Sequence, residues 1–415
     1  MGCGALSEDL QKNIVGLLDT IAEKAIDPAG GVTRLLYTKE WSDTQRELKQ
    51  LMESAGLETY FDDIGNLFGR LSGSKWKNET LLTGSHVDSV RNGGKYDGIY
   101  GIIAGLFAIR HLKEKYGAPL RNIELVSFAE EEGSRFPFAF WGSKNFLGLA
   151  KKENVAALQD SGGCCFIDAM EKAGFGFQEN NVELRPDVKC FFEVHIEQGG
   201  ILERELKDIG IVNGIVGQQR FDIDLKNIAN HAGTTPMAYR QDTLYAASKM
   251  ISTIIDRAKE YGDPLVATVG FIEAKPNSCN VIPGNTRFSL DIRHTDNNFL
   301  NEFSDESAEK MRKIARECGV EIEIHMWMDV APVPMNTELV HRLEDACRNL
   351  NYSYKIMHSG AGHDAQIIAP YIPSAMLFVP SKNGVSHSPQ EFTEPKCLEM
   401  GVHVLSDVLY QLAYH

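Results

Sequence analysis

Two short apolar runs, residues 81–84 and 123–129, each end in a turn loaded with imidazole or carboxylate groups. The first leads into Gly84-Ser85-His86-Val87-Asp88-Ser89, the second into Glu130-Glu131-Glu132-Gly133. Residues 99–115, between them, have the apolar content of a buried helix. Continuous apolar runs of this length suit strands covered on both faces. Strand, helix and strand in succession predict an α/β sheet with helices on both faces. Ligands in such sheets gather at the carboxyl ends of strands, where His86 and residues 130–132 fall.

At 415 residues the chain exceeds one ordinary core, which predicts two domains. Residues 8–25 and 43–56 have helical spacing. From about Gly214 the pattern changes: strand 221–225, helix 242–257, strands 264–273 and 286–293 about a Pro283-Gly284 turn, helix 298–318 and strand 320–327. The order βαββαβ is that of a ferredoxin-like sandwich. Beyond about 330 the α/β pattern resumes. The expected organisation is therefore a discontinuous catalytic domain, 1–213 with 330–415, interrupted by an α+β domain over 214–329.

The formal charge is -15, from 42 basic and 57 acidic residues. A surface this acidic argues against nucleic acid or an anionic membrane as partner. No run approaches the roughly 18 apolar residues of a membrane span. Met1-Gly2-Cys3-Gly4 lacks the basic-then-apolar pattern of a signal peptide, and Leu6 stands where a myristoylation signal needs Ser or Thr. The eight cysteines are scattered with no CxxC pair, a pattern of reduced thiols in a cytoplasmic protein.

Four segments carry chemistry. His86 can offer one ring nitrogen to a divalent ion while Asp88 holds the other; a plain His–Asp hydrogen bond is the competing reading, at even odds. Asp97 sits among glycines in Gly93-Gly94-Lys95-Tyr96-Asp97-Gly98, where a carboxylate can bridge two ions. An isolated triple Glu is usually a solvated turn, but this one follows a buried strand and precedes Phe136-Pro137-Phe138-Ala139-Phe140-Trp141, the expected wall of a metal pocket. Strand alternation puts Glu193, His195 and Glu197 on one face. His387 lies in the loop Gly384-Val385-Ser386-His387-Ser388-Pro389, where a lone His is more often structural. Taken together, imidazole and carboxylate donors without thiols suit Zn²⁺, Mn²⁺, Co²⁺ or Ni²⁺. Two such ions about 3.5–4 Å apart would share one bridging carboxylate.

The segments GSHVDS, GGKYDG, EEEGSRF, VHIEQG, NHAGTTPM, NVIPG, DIRHTD, SGAGHDA and GVSHSP occur in order over almost the whole chain. This series resembles the dinuclear amidohydrolases that include N-carbamoyl-L-amino-acid hydrolases, β-ureidopropionases and allantoate amidohydrolases, relatives of the di-zinc aminopeptidase-like exopeptidases. DPAGGVTRLLYTKEW, EEEGSRFPFAFWGSKN and MHSGAGHDAQI are similar to the allantoate-cleaving subgroup. The resemblance implies His86, Asp97 and His195 around one ion, and Asp97, Glu132 and His387 around the other. Glu131 would be the general base. Gln198, His231, Asn280 and Arg293 match the family's substrate contacts, with His231 as an oxyanion donor. The inserted domain would serve as lid and dimerisation surface of a homodimer, and His231 resembles a residue that reaches the other subunit's site.

The residues and the resemblance agree on the chemistry. A ureido carbonyl is a poor electrophile because two nitrogens donate into it, so neutral water attacks it slowly. Two cations lower the pKa of a water held between them. Glu131 then takes its proton and returns it to the leaving nitrogen. The expected substrate is a small ureido carboxylate, allantoate first and an N-carbamoyl-L-amino acid second. An aminoacylase or peptidase is a weaker reading. A metal-free binding protein is weaker still, since a decayed site would have lost at least one of His86, Asp97, Glu131, Glu132, His195 or His387.

Overall fold

A computed structural model describes residues 3–177 and 184–415; the reading of the extreme N-terminus falls outside these residues. The chain divides into two compact units, residues 1–213 with 335–415, and residues 214–334.

In the larger unit the apolar runs of the sequence form the centre of a mixed sheet. The strands run in the order Glu58–Phe61, Leu67–Leu71, Arg121–Phe128, Trp76–His86, Val188–Ile196, Ser374–Val379 and Ile209–Ile215, and Tyr354–Ser359 pairs with the last. Arg121–Phe128, Trp76–His86, Val188–Ile196 and Ser374–Val379 are mutually parallel, while the outer pairings are antiparallel. The parallel strands are buried almost throughout, which explains why they read as unbroken apolar runs.

Helix Ile99–Tyr116 connects the first two parallel strands. It is apolar on every side until Arg110 because it packs between the sheet and helix Pro395–Ala413. On the other face, Gly142 of helix Trp141–Phe146 lies against Phe128. Trp76–His86 thus has one parallel neighbour reached through this helix and another, Val188–Ile196, reached much later in the chain. The carboxyl ends of these strands flank the switch point where an α/β sheet opens a crevice.

Helix Lys39–Ser54 begins earlier than its apolar spacing predicts. The Thr38 hydroxyl accepts from Trp41 N, a side-chain cap that sets the start at the polar end of the segment.

The smaller unit is an antiparallel sheet in the order Ile272–Lys275, Asn285–His294, Gly217–Lys226 and Glu321–Val330, with Val266–Thr268 also on Asn285–His294. Helices Thr243–Tyr261 and Asn297–Cys318 pack on it around Phe221, Ile223, Phe288, Leu290 and Met250. The strand expected over 264–273 is two strands, because the register on Asn285–His294 slips by one residue between Thr268 opposite Asp291 and Ile272 opposite Phe288. Strand Glu321–Val330 ends its pairing at Val330 opposite Gln218, and the smaller unit extends to Pro334. Among the described residues no helix is long and apolar enough to cross a membrane, and the seven cysteines from Cys164 to Cys397 are free thiols.

Candidate metal centre

The last residue of strand Trp76–His86 projects an imidazole from the sheet edge, and its orientation is fixed by a carboxylate close behind it. His86 Nδ1 lies 3.1 Å from Asp88 Oδ1, so Nδ1–H donates and the Nε2 lone pair faces away. Asp88 also accepts from Glu131 N at 2.9 Å and Glu132 N at 3.2 Å. One buried carboxylate therefore orients a histidine and both glutamates of the neighbouring strand's turn. The sequence placed Asp88 behind His86; its grip on residues 131 and 132 comes from the parallel pairing of Trp76–His86 with Arg121–Phe128. His195, on strand Val188–Ile196, has Nδ1 against the Ile196 carbonyl at 2.9 Å, which again turns Nε2 toward the cluster, where it accepts from Gly98 N at 3.2 Å.

Asp97 stands at the centre. Its Oδ1 is 3.4 Å from His86 Nε2 and 3.2 Å from His195 Nε2. Its Oδ2 is 3.3 Å from His387 Nε2, which is itself 3.4 Å from Glu132 Oε1. Donors around one tetrahedral first-row ion, with bonds of about 2.0–2.1 Å, stand about 3.3–3.4 Å apart. The two oxygens of Asp97 thus face two separate donor sets at ligand spacing. His86, Asp97 and His195 form one group; Asp97, Glu132 and His387 form the other. His86, Glu131 and Glu132 also lie within reach of one another, which puts Glu131 at the rim of both sets. Gly98 permits this closeness: its φ is +65°, and a Cβ there would stand 2.4 Å from the His86 ring.

Carboxylates crowded without cations push one another toward protonation. Burial and the charges of its neighbours hold Glu131 well above the usual carboxylate range. Burial, with Asp97 beside it, raises Glu132 to about 7. The Asp97 hydrogen bond raises His387 to about 9 against the opposing effect of burial. Asp97 goes the other way: burial alone would raise it, but the hydrogen bonds and charges of His195, His387 and His86 pull it well below its ordinary value. Divalent ions in place of these protons would relieve the crowding. The donor chemistry, the spacing and the shared central carboxylate all fit a pair of such ions.

Gln198 joins the cluster directly. Its Nε2 donates to Asp97 Oδ2 at 2.7 Å, while its Oε1 is buried with no partner among the described residues. In the smaller unit His231 and Asn280 lie on paired segments, with Ala232 N donating to the Asn280 carbonyl at 3.0 Å. His231 Nδ1 accepts from Gly233 N and Thr234 N at 2.9 and 3.2 Å. With Nδ1 accepting, Nε2 is the ring nitrogen that carries a proton to donate. Arg293 is paired side-on with Asp291, at 2.9 and 3.1 Å, and Asp291 also accepts from Arg220 and Gln218.

Several expectations need adjustment. Glu197 is on no ligand set among the described residues; it accepts from Ile201 N and Leu202 N at the start of the short helix Ile201–Arg204. Glu193 is fully buried and holds Ser85 Oγ and Ala365 N. The aromatic run after residue 133 lines the metal pocket less than its sequence implies. Phe136 and Trp141 turn into the core against Phe166, and Trp141 Nε1 donates to Tyr37 Oη. Residues absent from the sequence reading also surround the centre. His363 packs 4.7 Å from the His195 ring, and burial beside that ring holds it well below the ordinary imidazole value. Asp364 is buried beside Glu193, and burial raises it well above its ordinary value. Glu391 reaches the backbone of the Asp97 turn. The motif Ser359-Gly360-Ala361-Gly362-His363-Asp364 was the available signal for the first two; nothing in the sequence marks Glu391 as buried.

Residues 82–411 match the model of peptidase family M20/M25/M40. The chain is 51% identical to an allantoate amidohydrolase of Escherichia coli (strain K12), over 94% of each chain. It is 45% identical to an allantoate amidohydrolase of Bacillus subtilis (strain 168), over 98% of each. The crystal structure of an amidase of the hydantoinase/carbamoylase family from Burkholderia multivorans superposes with a TM-score of 0.93 at 33% identity, over 98% of both chains. With its fold, its candidate metal centre and these likenesses together, the chain belongs to peptidase family M20/M25/M40.

Proposed function

We propose that this chain is an allantoate amidohydrolase, a hydrolase of ureido C–N bonds that uses two divalent ions, Mn²⁺ or Zn²⁺ with Co²⁺ or Ni²⁺ as substitutes. The observation that carries the metal reading is the division of Asp97, with each oxygen facing a different donor set. The substrate reading rests on the near full-length identity to two allantoate amidohydrolases.

When bound, the ions would supply the positive charge that makes a water nucleophilic near neutral pH. The protein's own groups do the rest. Glu131 sits at the edge of both donor sets and takes the water's proton, then gives it to the leaving nitrogen. The carbonyl carbon gains one oxygen and loses its bond to the nitrogen on the substrate's central carbon. Allantoate and water thereby yield ureidoglycine and carbamate, which decomposes to ammonia and carbon dioxide. His231 Nε2–H would stabilise the developing oxyanion. Gln198, Asn280 and Arg293 would bind the substrate, Arg293 through its carboxylate. This requires the 214–334 unit to act as a lid.

Strand Glu321–Val330 supports the homodimer. It is the edge of its sheet, largely exposed, and carries Met326 and Trp327 at 45% and 48% exposure. An edge of this kind invites a second strand across a two-fold axis. Free thiols at the cysteines from Cys164 to Cys397 fit the cytoplasm as its compartment.

The test is direct. Mn²⁺-reconstituted protein is incubated with allantoate and, separately, with N-carbamoyl-L-amino acids, and ammonia and amine release are followed. Turnover of allantoate that chelation abolishes and Mn²⁺ restores is expected. Preferential release of amino acids would favour the carbamoylase reading, which the hydantoinase/carbamoylase likeness keeps in play.

A further inference from the structure

The loop that carries His387 has an unfavourable backbone. Asn383, Gly384 and His387 all have positive φ, at 54°, 66° and 53°. Non-glycine residues stay in this region only where their surroundings hold them. Part of the hold is internal: Lys382 N donates to the Phe392 carbonyl at 2.8 Å, and Glu391 N to that of Ser388 at 3.0 Å. Asn383 N also donates to Glu203 Oε2 at 2.7 Å, and a second carboxylate, Glu391, ties the loop to the turn of Asp97. Glu391 is 4% exposed. Its Oε1 accepts from Tyr96 N at 3.0 Å and Asp97 N at 3.2 Å, and its Oε2 accepts from Ser386 Oγ at 2.7 Å. Ser386 Oγ also lies 3.2 Å from Asp97 Oδ2. Gly94 makes room, for a Cβ there would stand 2.1 Å from Glu391 Oε1.

We propose that Glu391 is a positioning residue that locks the loop of His387 to the turn of Asp97 and so sets the affinity of one ion of the pair selectively. The inference rests on the two-ion reading above. The two donor sets depend on this carboxylate unequally. His86 and His195 leave buried strands, and each ring has its own partner, Asp88 Oδ1 and the Ile196 carbonyl. His387 has neither a strand beneath it nor a buried ring, since its side chain is 47% exposed. Its distance to Asp97 Oδ2 and Glu132 is set by the loop, and Glu391 joins the loop to Asp97 from beneath. Freed from Glu391, the set Asp97, Glu132 and His387 loses its spacing, while His86, Asp97 Oδ1 and His195 keep theirs.

The experiment is Mn²⁺ titration by calorimetry, with elemental analysis, on wild type, Glu391→Ala, Glu391→Gln and Ser386→Ala. Wild type should take two ions per chain. Glu391→Ala should keep one tight ion and bind the second about 10–100-fold more weakly, the usual effect of losing a partner behind the ligands. Glu391→Gln should stay near wild type, because an amide oxygen accepts both backbone N–H groups and its nitrogen can donate to Ser386. Ser386→Ala should weaken the second ion in the same sense but less, and it serves as the test if Glu391→Ala does not fold. The proposal is overturned if wild type takes two ions and Glu391→Ala or Ser386→Ala loses both equally or neither. A wild type that takes only one ion fails the two-ion reading itself, and this inference with it.

Discussion

The ligand cluster of the larger unit and the contact residues of the smaller one are built in opposite ways. His86, Asp97 and His195 are almost completely buried at strand ends or in a tight turn, and each histidine ring has its proton placed by a specific acceptor. His231 and Asn280 are exposed, and Arg293 lies on a sheet, held by Asp291. The first group must hold fixed distances around a shared carboxylate, which a rigid, buried frame sustains. The second must meet a ligand that comes and goes, so exposure suits it. The difference suits the proposed division, with chemistry at the buried set and recognition at the exposed one, and mutations should separate the two.

The largest effect is expected at Glu131. Glu131→Gln keeps the shape and removes the base, so kcat should fall by roughly 10²–10⁴ with both ions retained. Kinetics paired with elemental analysis check this, and a rate within a few-fold of wild type would return Glu131 to a structural role. On the recognition side, Arg293→Lys removes a planar two-pronged donor. Charge-assisted contacts are worth roughly 1.5–3 kcal/mol, so KM for allantoate should rise roughly 10- to 150-fold with metal content unchanged. An unchanged KM would leave Arg293 as the partner of Asp291 alone.

Metal affinity should depend on pH at the donor set formed by Asp97, Glu132 and His387. Without an ion, His387 is protonated below about 9 and Glu132 below about 7. A ligand must lose its proton to bind, so affinity for the ion at Asp97, Glu132 and His387 should fall as pH falls. The slope should be about one log unit per pH unit between 9 and 7, and about two below 7. Calorimetry in buffers of different ionisation enthalpy counts the released protons, and an affinity flat from pH 9 to 6 would contradict the assignment. The smallest effect is expected from mixed dimers. His231→Ala and Glu131→Gln protein, each weak alone, should recover part of their activity after subunit exchange if His231 serves the neighbouring subunit. No recovery after proven exchange would confine His231 to its own chain.

Much of this was legible because buried parallel strands write themselves as apolar runs, and the turns after them carry whatever the site needs. His86, Glu131 and Glu132 could be located that way, and the change of pattern near Gly214 could be read from alternation. The legible part ended where positions depend on partners far along the chain. Glu193, Glu197 and His195 share one face by alternation, yet only His195 joins the cluster, because Ser85 and Ala365 take the first carboxylate and a helix start takes the second. The break of strand 264–273 is set by a one-residue slip on its partner strand.

The sequence by itself determined which donors exist, that they follow strand ends, and that imidazole and carboxylate would be the ligand chemistry. It did so because residue type and local periodicity are properties of neighbours in the chain. Only the tertiary structure decided which oxygen of Asp97 faces which histidines, that Asp88 grips residues 131 and 132 as well as His86, and that Glu391 ties the His387 loop to Asp97. Those contacts join residues up to 295 positions apart, and their geometry exists only once the parallel strands have brought the turns to one edge of the sheet.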